Sequence, residues 1–239
     1  MIDVHCHILP ALDDGAVDLE DSLAMAAQAV ADGITVVCAT PHIRSDHEVR
    51  VAELPSRIAA LQLELRRCGL DLEIASGGEV AQTTAAGISA TELRRVSLGE
   101  GGWVLLEPAP GPLNDDLFAL IDGLSTRGLH AIVAHPERHA AADLKERLCE
   151  LTARGALIQW TAAFVARADA GDLVLEFATA GLVHLLGSDA HSARAGRAVR
   201  LAAGIARLRQ VCSAEQLDWI AQGAPRAILD GAKSLTPPW

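Results

Sequence analysis

The chain has no tyrosine, three phenylalanines and four tryptophans, so aromatic residues make up 3% of its 239 positions. Its core must then be built from Ala, Leu, Val and Ile. The hydrophobic share of 50% is enough for a large core and excludes wholesale disorder. Lysine occurs twice, at Lys145 and Lys233. Five cysteines are an odd number with no C-x-x-C spacing, so neither a disulfide framework nor a zinc ribbon is indicated. Reduced thiols and a cytoplasmic location are the expectation. No 18-residue apolar run is present, and Met1-Ile2-Asp3-Val4-His5 carries no basic segment, so no transmembrane helix and no signal peptide are expected. Basic residues are outnumbered 20 to 31, giving a formal net charge of −11. That argues against nucleic acid or an anionic membrane as partner, because both need a basic face. An anion handled here must meet positive charge supplied mainly by something other than basic side chains.

What is present is an alternation of short apolar runs and longer helical patterns. Strands are expected at Ile2–Cys6, Ile34–Ala39, Leu72–Ala75, Trp103–Leu106, Ala131–Ala134, Leu157–Trp160 and Val183–Leu186. Helices are expected at Leu19–Ala31, Leu54–Arg67, Leu113–Thr126, Ala140–Ala153, Leu173–Thr179 and Ala195–Gln210. Most stop just before a glycine, the usual C-terminal signal. Repeated strand–helix units imply a parallel α/β sheet, open or closed. No linker is evident, so one domain spanning 1–239 is expected, with 232–239 as a tail.

The informative residues sit where the strands end. Buried parallel strands should read as continuous apolar runs. Here nearly every run finishes in a His, Asp or Glu. Asp3, His5 and His7 alternate along the first run and share one face, about 6–7 Å apart. Later ends are Thr40-Pro41-His42, Gly77-Gly78-Glu79, Glu107-Pro108, His135-Pro136-Glu137-Arg138 and Ser188-Asp189-Ala190-His191, with an Asp13-Asp14-Gly15 turn between the first two. Proline beside three of them marks the point where a ladder stops. Carboxyl ends of strands are where α/β barrels and open sheets build their sites. Imidazole plus carboxylate donors suit zinc, manganese or iron. So many donors suit two or three ions sharing bridging carboxylates.

This set of motifs resembles the polymerase-and-histidinol-phosphatase (PHP) superfamily. The opening Met-Ile-Asp-Val-His-Cys-His-Ile-Leu-Pro-Ala-Leu-Asp-Asp-Gly-Ala, with His135-Pro136-Glu137-Arg138, is similar to its CpsB/YwqE-type branch, the bacterial tyrosine-protein phosphatases of capsule and exopolysaccharide synthesis. The resemblance implies a distorted (β/α)7 TIM-like barrel and a centre of two to three manganese, iron or zinc ions. It implies one ion at His5, His7, Glu79 and Asp189, a second at Glu79, Glu107 and His135, and a third at Asp14, His42 and His191. It implies that Asp3 orients a ligand imidazole, that Arg138 binds phosphate, and that Arg197 joins it, with Arg194 competing for that role. Ile43 stands where the family often has a second histidine. The implied substrate is a phosphotyrosine-bearing protein, in particular the tyrosine-rich tail of a polysaccharide-synthesis kinase.

Alternatives remain on the residues. Cys38-x5-Arg44 has the spacing of a cysteine-dependent phosphatase, but the intervening Pro41 lacks an N–H and no glycine shapes a phosphate cradle. A carbamylated-lysine amidohydrolase needs a strand lysine, and Lys145 and Lys233 are not on strands. A histidinol-phosphate or other small-molecule phosphatase would use the same ligands. A catalytically silent binding module is the reading from another class. His47 and His139 lie near the expected mouth and read as solvated loop residues, with substrate contact as the alternative, and His130 and His184 read as structural ones. Trp160 reads as core, with an option to reach the pocket.

Overall fold

The computed structural model describes residues 1–168 and 171–239. Nine strands are formed among them: β1 (Ile2–Cys6), β2 (Val36–Ala39), β3 (His42–Ile43), β4 (Glu73–Ser76), β5 (Glu79–Ala81), β6 (Trp103–Glu107), β7 (His130–Ala134), β8 (Leu157–Thr161) and β9 (Leu185–Gly187). They pair in the orders β1-β2-β4 and β3-β5-β6-β7-β8-β9, every pair parallel.

Two expected strands, Ile34–Ala39 and Leu72–Ala75, are each followed by a short further strand. Pro41 interrupts β2 from β3, because it has no N–H to donate to a ladder. Gly77-Gly78 interrupts β4 from β5. A Cβ at Gly78 would lie 2.8 Å from the Ile43 side chain, so glycine lets the two strands step past each other. Joined across these breaks, the nine strands make seven staves. The end staves also meet. The His7 N–H donates to the Ala190 carbonyl (2.9 Å) and the Asp189 N–H to the His5 carbonyl (2.8 Å). The row thus curls back on itself as the expected distorted (β/α)7 barrel.

Strand periodicity sorts the core. Val36, Cys38, Trp103, Leu105, Ile132, Ala134, Leu157 and Leu185 form one buried cluster, on the strand face that carries Glu107 and Gln159. The alternate residues Val37, Val104, Leu106, Ala131, Val133, Ile158 and Leu186 pack in a second cluster with the helices. Trp160 belongs to this outer cluster. It is fully buried and its indole donates to the Leu182 carbonyl (3.0 Å), so it does not reach the pocket.

Helices Leu19–Ala31 and Leu54–Arg67 match their expected limits. Two start later than expected, at Asp115 and Leu144. The first of these is capped by Asn114, whose side chain accepts the Leu117 N–H. The largest departure is 195–210, of which only Ala202–Leu208 is helical. The stretch before it is held open by side chains around the first helix. Asp21 accepts the Ala193 N–H (2.9 Å), Gln28 the Val199 N–H (3.1 Å) and Asp32 the Leu201 and Ala202 N–H groups (2.6 and 2.9 Å). Backbone donors satisfied this way have no need of a helix. Helix Ala224–Leu229 and the turn before it, absent from the sequence expectation, pack against β1. Residues 232–239 lie at the end of the barrel away from His5 and His7. There the Trp103 indole donates to the Ala232 carbonyl, and Trp239 stands edge-on to Trp219.

Candidate functional site

All nine expected ligand residues converge at the carboxyl end of the barrel. The donor atoms fall into overlapping groups within 4.8 Å: His7, Asp14, His42 and His191; His5, His7 and Asp189; His5, Glu79 and His135; His42, Glu79 and Glu107. Glu79, buried at the start of β5, is the hub. One carboxylate oxygen lies 3.3 Å from His5 Nε2, 3.4 Å from His7 Nε2 and 3.0 Å from His42 Nδ1, and the other 2.7 Å from His135 Nε2. Burial would raise this carboxyl, but the surrounding imidazoles outweigh it and hold it well below its ordinary range. Asp14 lies 3.3 Å from His42 Nε2 and 3.5 Å from His191 Nε2, with its side chain half exposed at the rim. One grouping differs from expectation. Glu107 is close to His42 and Glu79, and His135 is close to Glu79 and His5, so those two are not in one group.

The outward-facing ring nitrogens explain how the imidazoles are aimed. His7 Nδ1 lies 2.8 Å from Asp13 Oδ2 and donates to it, because an ionised carboxylate only accepts. His5 Nδ1 faces Gln159 Oε1 at 2.9 Å. The other two nitrogens, both Nε2, then face each other 3.3 Å apart beside Glu79. A carboxylate or amide behind each imidazole is the arrangement that turns a neutral histidine's lone pair toward a cation. His135 Nδ1 and Asp189 Oδ1 are buried without any hydrogen bond. Isolated buried polar atoms are costly, and nitrogen and oxygen donors packed this closely suit divalent ions. Burial works against a charged His7, yet Asp13 and Glu79 prevail and raise the ring to about 10. That negative field is equally favourable to a metal cation, which would displace the proton.

Asp13 was passed over in the sequence, where Asp13-Asp14-Gly15 offered one ligand and a turn. It binds His7, accepts the His42 N–H (2.9 Å) and accepts the Gly15 N–H (3.0 Å). Its carboxyl is depressed because the hydrogen bond and charge of His7 outweigh burial. Gln159 was missed too, since a lone polar residue inside a strand carries no motif. Asp3 departs from its expected role. Its Oδ1 accepts the backbone N–H of His5 (3.1 Å) and of Ser188 (2.9 Å), not a ring nitrogen. Asp3 therefore ties β1 to the end of β9, and complete burial outweighs these bonds to raise its carboxyl to about 6.

Four non-glycine residues among those described have a positive φ, Ala11, Glu100, His135 and Asp189, and two of them are ligand candidates. His135 (φ 32°), directly after β7, and Asp189 (φ 50°), two residues past the end of β9, adopt left-handed conformations. Such angles are uncommon outside glycine and cluster at functional sites. Two glycines make room behind the imidazoles. A Cβ on Gly15 would lie 2.3 Å from the His7 carbonyl oxygen, and one on Gly187 2.6 Å from the His5 Cβ.

Three arginines approach. Arg138 pairs with Asp189 Oδ2, as does Arg197 at 2.8 Å. Arg194 turns away to Asp18 (2.9 and 3.0 Å), so it is Arg197 that the structure brings to the site. Arg44, known from the sequence only for its spacing from Cys38, lies 3.3 Å from Glu107. Cys38 is fully buried in β2 and burial pushes its thiol well up, the opposite of an activated nucleophile. His47 stacks on His42 with centroids 5.2 Å apart. His139 corrects the solvated reading: it is 5% exposed and donates from Nδ1 to the Gly111 carbonyl (2.7 Å). His130 stacks on Trp103, and His184 accepts the Ile158 N–H (3.2 Å), both structural as expected.

Barrel and site together define an α/β barrel protein with a cluster of candidate metal-ligating side chains at the carboxyl ends of its strands. Residues 1–230 match the family described as capsular polysaccharide synthesis, CpsB/CapC, and the chain belongs to it. It is 34% identical over 208 residues to the tyrosine-protein phosphatase YwqE of Bacillus subtilis, covering 81% of this chain and 78% of that one. It is 29% identical over 200 residues to the putative tyrosine-protein phosphatase CapC of Staphylococcus aureus, covering 80% and 77%. Among solved structures it superposes on one reported for YwqE from Bacillus subtilis and CpsB from Streptococcus pneumoniae, described as metal-dependent tyrosine phosphatases. That match has a TM-score of 0.84 and 27% identity, and covers 100% of this chain and 98% of the other.

Proposed function

We propose that this chain is a metal-dependent phosphatase that hydrolyses phosphotyrosine in a protein acting in capsular or exopolysaccharide synthesis. The observation that carries this reading is the Glu79 hub, ringed by four imidazoles, with Arg138 and Arg197 beside it on Asp189. Membership of the CpsB/CapC family, and relatives named as tyrosine-protein phosphatases, support it.

Two to three divalent ions, manganese, iron or zinc, would be held by His5, His7, Asp14, His42, Glu79, Glu107, His135, Asp189 and His191. Bound there, such ions supply positive charge for the phosphoryl oxygens and lower the pKa of a water toward neutrality. Asp13 and Gln159 keep His7 and His5 aimed. Asp3 keeps the β1 and β9 ends in register. Arg138 and Arg197 take the phosphate, since a planar guanidinium can bind two of its oxygens at once. A phenolate leaving group has a conjugate-acid pKa near ~10 and so needs only modest proton assistance. The puzzle of an acidic chain handling an anion is answered locally. Metal charge and two arginines would meet the phosphate inside an acidic shell that repels extended polyanions.

The chain would work as one unit in the cytoplasm on the tyrosine-rich tail of a polysaccharide-synthesis kinase. No helix among the described residues is long and apolar enough to cross a membrane. Phosphatase assay on a phosphotyrosyl peptide and on histidinol phosphate, before and after chelation, tests the reading. Chelation should abolish activity, metal should restore it, and Cys38→Ser should retain it. Activity that survives chelation but is lost in Cys38→Ser would overturn it.

A further inference from the structure

Beyond the metal-ligand cluster the surface continues as a trough. A first basin of about 580 Å³ is lined by Arg44, Glu107, His135 and Arg138. A second, of about 540 Å³, lies between the short helix Gln82–Ala85 and helix Asp115–Thr126. The two basins share Gln82, Thr83 and Ala109, so the second lies directly beside the first. Their common wall is fixed. Gln82 is buried, donates to Asn114 Oδ1 (2.9 Å) and accepts the Ala109 N–H (2.9 Å).

The far basin is built from small and apolar residues. Ala119, Leu120 and Gly123 follow one stripe of the helix, with Asp116 and Arg127 at its ends, and Ala86 stands opposite. Exposed helix faces usually carry charged residues. Gly123 is a poor helix former and has no positive φ that would require it. A Cβ there would meet no atom within 4 Å. The glycine therefore leaves open space that neither backbone nor packing demands.

We propose that this trough seats the peptide flanking the phosphotyrosine, with an uncharged apolar or aromatic side chain over Ala119 and Gly123; the inference rests on the phosphatase reading above. Adjacency to the catalytic basin identifies the occupant, because a peptide chain anchored by its phosphate at Arg138 reaches the second basin by crossing Gln82 or its neighbours. A free small phosphate ester would have no use for the second basin.

The test compares the wild type with Gly123→Phe and Ala119→Phe. Substrates are p-nitrophenyl phosphate and two phosphotyrosyl peptides, one with aromatic flanks and one with glycine flanks. The wild type should prefer the aromatic flanks. In each variant the peptide-to-aryl-phosphate ratio of kcat/KM should fall about tenfold, mainly through KM, and the flank preference should vanish. Circular dichroism melts establish that the variants are folded. Fluorescence anisotropy of a labelled, unphosphorylated aromatic-flank peptide should weaken in parallel. Unchanged ratios and preference in folded variants would overturn the trough while leaving the phosphatase reading intact. A wild type that hydrolyses none of the substrates yet binds the labelled peptide in a Gly123-dependent way would do the reverse.

Discussion

Arg197 grips Asp189 twice, from Nε to the backbone carbonyl oxygen (2.9 Å) and from a terminal nitrogen to Oδ2 (2.8 Å). The residue that turns left-handed at the end of β9 is thus locked from outside by a guanidinium. Arg194, three residues earlier, is committed to Asp18 and Glu20. Arg197→Ala should lower kcat/KM on an aryl phosphate by about 100-fold, as expected when a charge-assisted contact to the phosphoryl group is lost. Arg194→Ala should stay within about twofold, because it breaks only an exposed ion pair. Steady-state kinetics on the two variants, with metal content measured alongside, distinguishes them. Equal losses would return the role to Arg194.

Asp13 stands behind His7 as Asp189 stands before it. Asp13→Ala removes the acceptor that fixes the His7 ring and frees the His42 N–H as well. Losses of a partner behind a metal-binding imidazole typically cost about 10- to 100-fold in metal affinity or activity. The variant should therefore need more metal for half-maximal activity in a titration from chelated protein, with kcat recovering in part at saturation. Gln159→Ala should act the same way on His5, more weakly, since an amide is a weaker acceptor than a carboxylate. A titration midpoint that does not move in Asp13→Ala would show that Asp13 serves only the turn.

Glycine at 187 is a packing requirement. Gly187→Ala would place a methyl 2.6 Å from the His5 Cβ and 2.9 Å from Gln159 Nε2. Overpacking of this kind costs about 1–3 kcal/mol, and here the strain falls on the element that aims His5. The expected result is a lowered melting temperature together with reduced metal content by elemental analysis. Gly123→Ala on the outer helix should instead raise stability by about 1 kcal/mol, since its Cβ is unobstructed. The pair separates a glycine needed for close approach from one that leaves space.

Most of the barrel was legible because buried parallel strands and glycine-stopped helices are local patterns. The nine ligand candidates were legible because charge at the end of an apolar run is conspicuous. What escaped depends on long-range contacts. The segment 195–201 was expected to be helical, and Gln28 and Asp32 reaching across to it satisfy its backbone donors outside a helix. Asp13 escaped because two adjacent aspartates in a turn look interchangeable until one is seen to face His7. Gln159 and Arg44 become partners of His5 and Glu107 only through the folded barrel, across sequence separations of 154 and 63. His139 looked solvated because it falls in a loop near the mouth, yet it is buried and its ring donates to the Gly111 carbonyl.

His184 supplies a pH dependence unrelated to the metal ligands. It immediately precedes β9 at the far end of the barrel, is 4% exposed, and accepts the Ile158 N–H. Burial favours its neutral form and brings its pKa down from 6.5 to about 4. Between those values the unfolded chain binds more protons at this residue than the native state does. Stability therefore falls as pH drops through about 6.5 and continues to fall until about 4, below which the residue contributes no further change. The full loss is about 3 kcal/mol at most. In His184→Gln the side-chain oxygen can still accept the Ile158 N–H, but nothing titrates. Urea unfolding at pH 7.5 and pH 4.5 should show a smaller acid loss for the variant than for the wild type. Identical losses would mean that His184 takes up its proton in the native state as readily as in the unfolded chain.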